Sequence, residues 1–198
     1  AALAALRSSD HGRRRARPSE SGRRSHRNKV DMSWTRSPSN LPQRRGPRPR
    51  TTRSNPHTQL DQNAPEELQR ALAARIFALD GVEERPSVIS VPGARALWLR
   101  EEGGAGGQDA FLVGREFAHL HPLYDGSLHA ALPLEVAASA IEAGWAEPHP
   151  LALRGVVPGT IVMLYGPRDL RELEVIGNLV AVSFEFARGR NGAGGKGE

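Results

Sequence analysis

An α+β fold, a mostly antiparallel sheet with helices packed on one face, is what three features of this sequence predict. Helical periods and β-like runs are separated along the chain instead of alternating regularly. Turn signals of hairpin type join the β-like runs of the first half. All of this lies after Asn63, and the chain before it shows no periodicity.

Asn63-Ala-Pro-Glu66 reads as a helix start, with an N-cap amide, a proline in the first turn and a carboxylate three residues on. Leu68, Leu72, Ile76 and Leu79 recur at helical spacing, and Gly81 is placed to end the helix. Three β-like runs are expected at 87–91, 96–100 and 109–114, the first two separated by the Pro92-Gly93 turn signal. Residues 116–121 continue or follow the third run, and Asp125-Gly126 turns the chain into a returning strand at 127–132. Pro133 opens a helix whose face is Val136, Ala137, Ala140 and Ile141, ended by Gly144. A proline-rich loop leads to a strand at 160–165. Asp169 and Glu172 then form a capping box for a final helix with Leu173, Ile176, Val180 and Phe184 on one face.

The domain organisation follows. Residues 1–62 are read as a disordered basic arm, 63–189 as the folded domain and 190–198 as a flexible Gly-rich tail. Residues 1–60 hold 15 Lys/Arg against 3 Asp/Glu, a net of +12, and residues 61–198 hold 12 against 19, a net of −7, so the positive balance of the chain comes from the arm. Such an arm buries too little apolar surface to offset its ordering entropy. Its deletion is expected to leave stability nearly unchanged, and its arginines suit weak, non-specific binding of polyanions. The absence of cysteine excludes disulfides and thiolate chemistry. No stretch approaches the roughly 18 apolar residues of a membrane span, so a cytoplasmic protein is expected. There is no phosphate-binding loop, nucleophile elbow or dinucleotide fingerprint. The Arg- and Ala-rich composition suggests a GC-rich bacterial genome.

The chemistry concentrates in REFAHLHPLYDGSLH, where His119, His121 and His129 fall close together. Residues two apart on a strand share a face, so His119 and His121 project side by side. Such a pair, joined by a carboxylate or another histidine, can ligate zinc, iron or copper. It can equally supply a general base, because imidazole titrates near neutral pH. A strict two-residue turn at Asp125-Gly126 would pair Pro122 with His129 and put His129 on the opposite face; a bulge at Pro122 would restore the common face. Two further segments stand out. Gly144-Trp145 precedes His149-Pro150, and Tyr165-Gly166-Pro167-Arg168 runs from a strand into a capped helix. Arg168 offers a planar fork for an enolate or carboxylate, or else an ion pair with Glu172 or Asp169.

Together the stretches REFAHLHPLYDGSLHAAL, GWAEPHPLA and MLYGPRDLRELEVI resemble the luciferase domain of bioluminescent fungi and its bacterial relatives, over about residues 114–187. The resemblance implies oxidation of a hydroxylated styryl-pyrone by molecular oxygen, without flavin, nicotinamide or a known metal requirement. The motif's polar positions are kept at His119, His121, Asp125, His129, Trp145, His149, Tyr165 and Arg168; Tyr124 stands where the fungal enzymes carry another histidine.

The expectation is therefore a small-molecule enzyme, an oxygenase whose substrate is an enol or pyrone-like compound together with molecular oxygen. His119, His121, His129 and Arg168 are the catalytic candidates, and Asp125, Trp145, His149 and Tyr165 the substrate-binding ones. No metal and no cofactor are expected, since Pro122 and the tight turn work against three-way convergence. A histidine-ligated metalloenzyme and a non-catalytic binding module are the alternatives.

Overall fold

Residues 41–190 are described by the computed structural model; residues 1–40 of the expected arm and 191–198 of the expected tail lie outside them. Helix α1 spans Glu66–Ile76 and buries Leu68, Leu72 and Ile76, the face its periodicity marks. Pro65 stands at its N-cap, and the Asn63 amide donates to the Tyr124 carbonyl instead of capping the helix. After the helix, Gly81 (φ 97°) turns the chain into strand β1, Val82–Pro86. The strand expected at 87–91 is the loop beyond β1. The register of β1 on β2 (Arg95–Leu99) pairs Pro86 with Arg95, which leaves 87–94 as the connection. The charges that hid β1 in the sequence suit an edge strand, and Glu84 pairs there with Arg95 at 2.6 Å.

The run at 109–114 is likewise not a strand. Gln108–Ala110 forms a 3-10 turn, and only Val113 makes an isolated bridge, to Glu116. Strand β3 is Glu116–Leu120 and β4 is Leu128–Ala131. Helix α2 (Leu134–Glu142) is followed by β5 (Ala146–Pro148) and the one-turn helix α3 (Pro150–Leu153), neither of which the sequence marked. Strand β6 (Ile161–Leu164) precedes helix α4, Leu170–Ala187, whose N-cap Asp169 accepts from the Glu172 amide as the capping box requires. The order is β1-β2-β3-β4-β6-β5, and every pairing is antiparallel. The fold is α+β, as the sequence predicts. No helix among the described residues is long and apolar enough to cross a membrane.

The two faces of the sheet differ in composition. Leu97, Phe117, Ala118, Leu128, Val162 and Leu164 join Leu72, Ile76, Ile176 and Val180 in one apolar core. Each buried leucine or isoleucine there contributes about 1.5–3 kcal/mol. The opposite face carries a cross-strand row that runs Ala96, His119, His129, Met163, Glu147.

Residues 41–62 are part of the folded structure, in contrast to the disordered arm expected through residue 62. The Trp145 indole donates to the Pro42 carbonyl. Buried Arg44 lies 3.5 Å from Glu172, and His57 and Gln59 are both 3% exposed. Polar contacts to groups distant in sequence, which leave no local periodicity, hold this segment.

Candidate active site

The geometry of the turn decides whether the histidines meet. Residues 122–126 form a longer turn than the two-residue one, with the Asp125 and Gly126 amides donating to the Pro122 carbonyl at 3.0 and 2.9 Å. Gly126 sits at φ 71°, and a Cβ there would lie 2.5 Å from the Gln69 side chain, so this position needs glycine. The register that results pairs His119 with His129, and the His121 amide donates to the Ser127 carbonyl at 2.9 Å. His119, His121 and His129 therefore share one face.

A second irregularity adds a carboxylate. The register of β2 on β3 shifts between Leu97 and Trp98, so that Trp98 opposes Glu116 while Leu97 opposes Ala118. Residues three apart point to opposite faces of a regular strand; the bulge brings Glu116 round to His119, with Nδ1 and Oε1 2.7 Å apart.

From this pair a buried chain of close polar contacts crosses the sheet. His119 Nε2 lies 3.0 Å from His129 Nδ1, His129 Nε2 lies 3.1 Å from His57 Nδ1, and His57 Nε2 lies 2.7 Å from Glu147 Oε1. The Tyr165 hydroxyl donates to the other Glu147 oxygen at 3.0 Å. Beside this chain, His121 Nδ1 sits 2.7 Å from Asp125 Oδ2, and the Ser127 hydroxyl donates to Asp125 Oδ1 at 2.6 Å. His149 caps α3, its Nδ1 accepting from the Leu151 amide at 3.1 Å. His57, His119, His121, His129 and His149 all line one cavity of about 600 Å³, whose apolar walls include Ile89, Val91, Leu112, Leu151 and Val157. Among the described residues, no Lys or Arg lines it.

Burial and four neighbouring imidazoles hold His129 well below the usual imidazole range. Burial lowers His119 as well, against the opposing pull of Glu116. His149 is brought down to about 4 by burial and by His57, His119 and His121, so it is neutral at neutral pH. With Nδ1 accepting a bond, its proton is on Nε2. Burial alone would raise the Asp125 and Glu147 carboxyls. Bonds from His121 and Ser127 to the first, and from His57, Thr51 and Tyr165 to the second, outweigh burial and keep both ionised. Two triads place their ligand atoms within 4.8 Å of one another: His119, His121 and His129, and His57, His129 and His149. Convergence is thus achieved, and the geometric ground for expecting no metal is removed.

Of the residues singled out in the sequence, His119, His121, His129 and His149 come together. Asp125 stands behind His121 and orients it. Tyr165 reaches the group only through Glu147. Trp145 is a fully buried member of the apolar core and does not line the cavity. Arg168, expected to be catalytic, does not line it either. Its guanidinium pairs with Glu172 at 3.0 Å and donates to Gln62 at 2.8 Å and to the Arg45 carbonyl at 2.6 Å. The capping box that starts α4 places Glu172 within its reach, and the ion pair then ties residues 45 and 62 to the helix. Sequence reasoning missed His57, Glu116 and Glu147. His57 was hidden in the arm, and Glu116 depends on a bulge. Glu147 had a visible signal, since it lies between Trp145 and His149 in the motif GWAEPHP.

Residues 114–183 match the family model of the luciferase domain. Relatives include luciferases of the fungi Armillaria gallica and Armillaria mellea, each 35% identical over 74 residues, and of Neonothopanus nambi, 36% identical over 74 residues. The match covers 36% of this chain and 28% of each relative, so the chain aligns with less than a third of their length. These relatives are fungal, which does not fit the bacterial source that the composition suggests. No solved structure matches the chain.

Proposed function

We propose, from the chain's membership of the luciferase domain family through residues 114–183, that it is a small-molecule oxygenase acting on an enol or pyrone-like substrate. The observation that carries this reading is the single cavity of about 600 Å³ with apolar walls and five histidines. Its size and lining suit a flat, largely apolar molecule with a few polar atoms. An enol is deprotonated at the histidine group, and the Nε2–H of His149 donates to the enolate oxygen. The enolate carbon then forms a bond to molecular oxygen, and the proton returns to the distal oxygen. The product is a keto hydroperoxide: the substrate loses two electrons, oxygen is reduced to the peroxide level, and no other reductant is consumed. Light emission is not part of the proposal.

The test is oxygen uptake by the full chain with a panel of enols and hydroxylated pyrones, with products identified by mass spectrometry. Val91→Trp, which fills the cavity from its wall, is expected to abolish uptake while the melting temperature is kept. A panel member that binds tightly yet is recovered unchanged under oxygen would overturn catalysis and leave a binding module.

A further inference from the structure

We infer that His119 Nε2, His121 Nε2 and His129 Nδ1 hold one divalent first-row transition-metal ion at the base of the cavity. The metal belongs to the class that imidazole nitrogen suits: iron, copper or zinc.

The first argument is an accounting of donors and acceptors. Each outer ring nitrogen of the group has a defined acceptor. His119 Nδ1 faces Glu116, His121 Nδ1 faces Asp125 and Ser127, and His57 Nε2 faces Glu147. A carboxylate only accepts, so each of these nitrogens carries a proton. In a neutral ring the other nitrogen is then a bare lone pair: His119 Nε2, His121 Nε2 and His57 Nδ1. His57 Nδ1 is satisfied by a proton on His129 Nε2, 3.1 Å away. That assignment leaves His129 Nδ1 bare as well, facing the bare His119 Nε2 at 3.0 Å. Two lone pairs at that distance repel unless a cation lies between them or beside both. With a metal there, every ring is neutral, every proton has an acceptor and the three lone pairs point to one ion.

The second argument is the shell behind the ligands. Metal-bound histidines commonly donate their other N–H to a carboxylate or another acceptor, which fixes the tautomer and the ring. Here all three do so: to Glu116, to Asp125 and, through His57, to Glu147. The carboxylates of Glu116 and Asp125 are fully buried, and among the described residues no Lys or Arg lines the cavity to offset them. A divalent ion supplies the missing positive charge. The third argument is geometry. One ring nitrogen from each of the three histidines lies within 4.8 Å of the others, and His119 Nε2 and His129 Nδ1 stand 3.0 Å apart across adjacent strands. Three nitrogens at about 2.0–2.1 Å from a metal are spaced by about 3.3 Å, which small ring rotations achieve. Three protein ligands leave a coordination position for water, oxygen or substrate, as in catalytic and not structural sites.

His57, His129 and His149 form no second site by the same reasoning. His149 Nδ1 accepts the Leu151 amide, which places the proton on Nε2, and His57 Nδ1 is taken by His129. The inference concerns the proposed active-site pocket but does not rest on the oxygenase reading. Protein that holds metal and consumes no oxygen would uphold this site and sink that reading.

The experiment uses the full chain, purified without chelator or metal-affinity tag, with metal content measured by inductively coupled plasma mass spectrometry. About one equivalent of iron, copper or zinc is expected. After its removal, titration with Co2+ is expected to give visible d–d bands that saturate near one equivalent. His129→Ala is expected to abolish the bands and His149→Gln to keep them. Asp125→Asn, which keeps all three ligands, is expected to weaken Co2+ binding by about 10–100-fold, and it serves if His129→Ala fails to fold. Folded protein without metal that yields no Co2+ bands would overturn the site. So would undiminished binding in either His129→Ala or Asp125→Asn, or two equivalents with one lost in His149→Gln.

Discussion

On the helix side of the sheet, Leu97, Phe117, Leu128 and Leu164 meet α1 and α4 in an apolar core. On the other side, Glu116, His119, His129, His57 and Glu147 form a buried polar chain beneath residues 51–62, which contain no helix. The same strands supply both faces, with the alternation of β3 interrupted at the bulge, so backbone pairing supports both at once. They differ in what each can tolerate. The apolar face gains stability from every buried methylene. The polar face costs desolvation at each imidazole and carboxylate and recovers it only where every bond is made. The first face thus stabilises the fold, and the second places groups where water alone would not leave them.

The largest effect that separates the faces is a cavity in the core. Phe117 is fully buried and packs against Phe184, the ring centroids 5.8 Å apart. Phe117→Ala is expected to cost about 3–5 kcal/mol, read as a lower denaturant midpoint with an unchanged slope. A cost below about 1 kcal/mol would mean that the helix side does not carry the stability assigned to it.

Next in size is the cover over the polar face. A chain that starts at residue 63 loses the bonds of Pro42, His57, Gln59 and Gln62 to Trp145, Glu147, Gly166 and Arg168. Compared with a chain that starts at residue 41, its melting temperature is expected to fall by more than about 5 °C. Equal melting temperatures would return residues 41–62 to the role of an inert arm.

Arg168→Ala is expected to show a smaller loss, about 1–3 kcal/mol, because Arg44 still lies 3.5 Å from Glu172. Co2+ binding should be unchanged, since Arg168 does not line the cavity. A loss of Co2+ binding with stability intact would restore a role for Arg168 in the site.

How much of this was legible in the sequence depends on the scale of the interaction. The helical faces of α1, α2 and α4 and the strands β2, β4 and β6 follow from local periodicity, and the structure keeps them. Strand β1 was missed because its charges are tolerated only at an edge, and which strand lies at an edge is a tertiary fact. The histidines were visible as candidates. Their convergence was not, because it turns on whether the loop before Ser127 has two residues or five, and on a bulge that no residue type announces. His57 could not be read at all: its partners, His129 and Glu147, lie 72 and 90 residues away. Arg168 was misread for the opposite reason, as a conspicuous side chain whose partner Glu172 was already in view four residues on.

The smallest expected effect lies where the polar chain ends. Tyr165 is 1% exposed and donates to Glu147 Oε2 at 3.0 Å. Tyr165→Phe removes one hydroxyl and keeps the ring's packing. Glu147 keeps its bond from His57 at 2.7 Å, and its side chain remains 22% exposed, so water can take the vacated position. The loss should therefore be about 1 kcal/mol. Its pH dependence is a sharper test than its size. Burial raises the Tyr165 phenol, and the facing Glu147 carboxylate raises it further, against a smaller opposing pull from Arg48. A raised pKa means that the unfolded chain gives up this proton first, near its ordinary value of about 10. The stability contributed by the protonated hydroxyl is fully present below that pH and falls as pH rises beyond it. The gap between the original chain and Tyr165→Phe should be constant from neutral pH to about 9 and narrow above about 10, as followed by urea unfolding. A gap that widens in alkali would mean that the phenolate is favoured in the fold, and that Glu147 is not the group its hydroxyl faces.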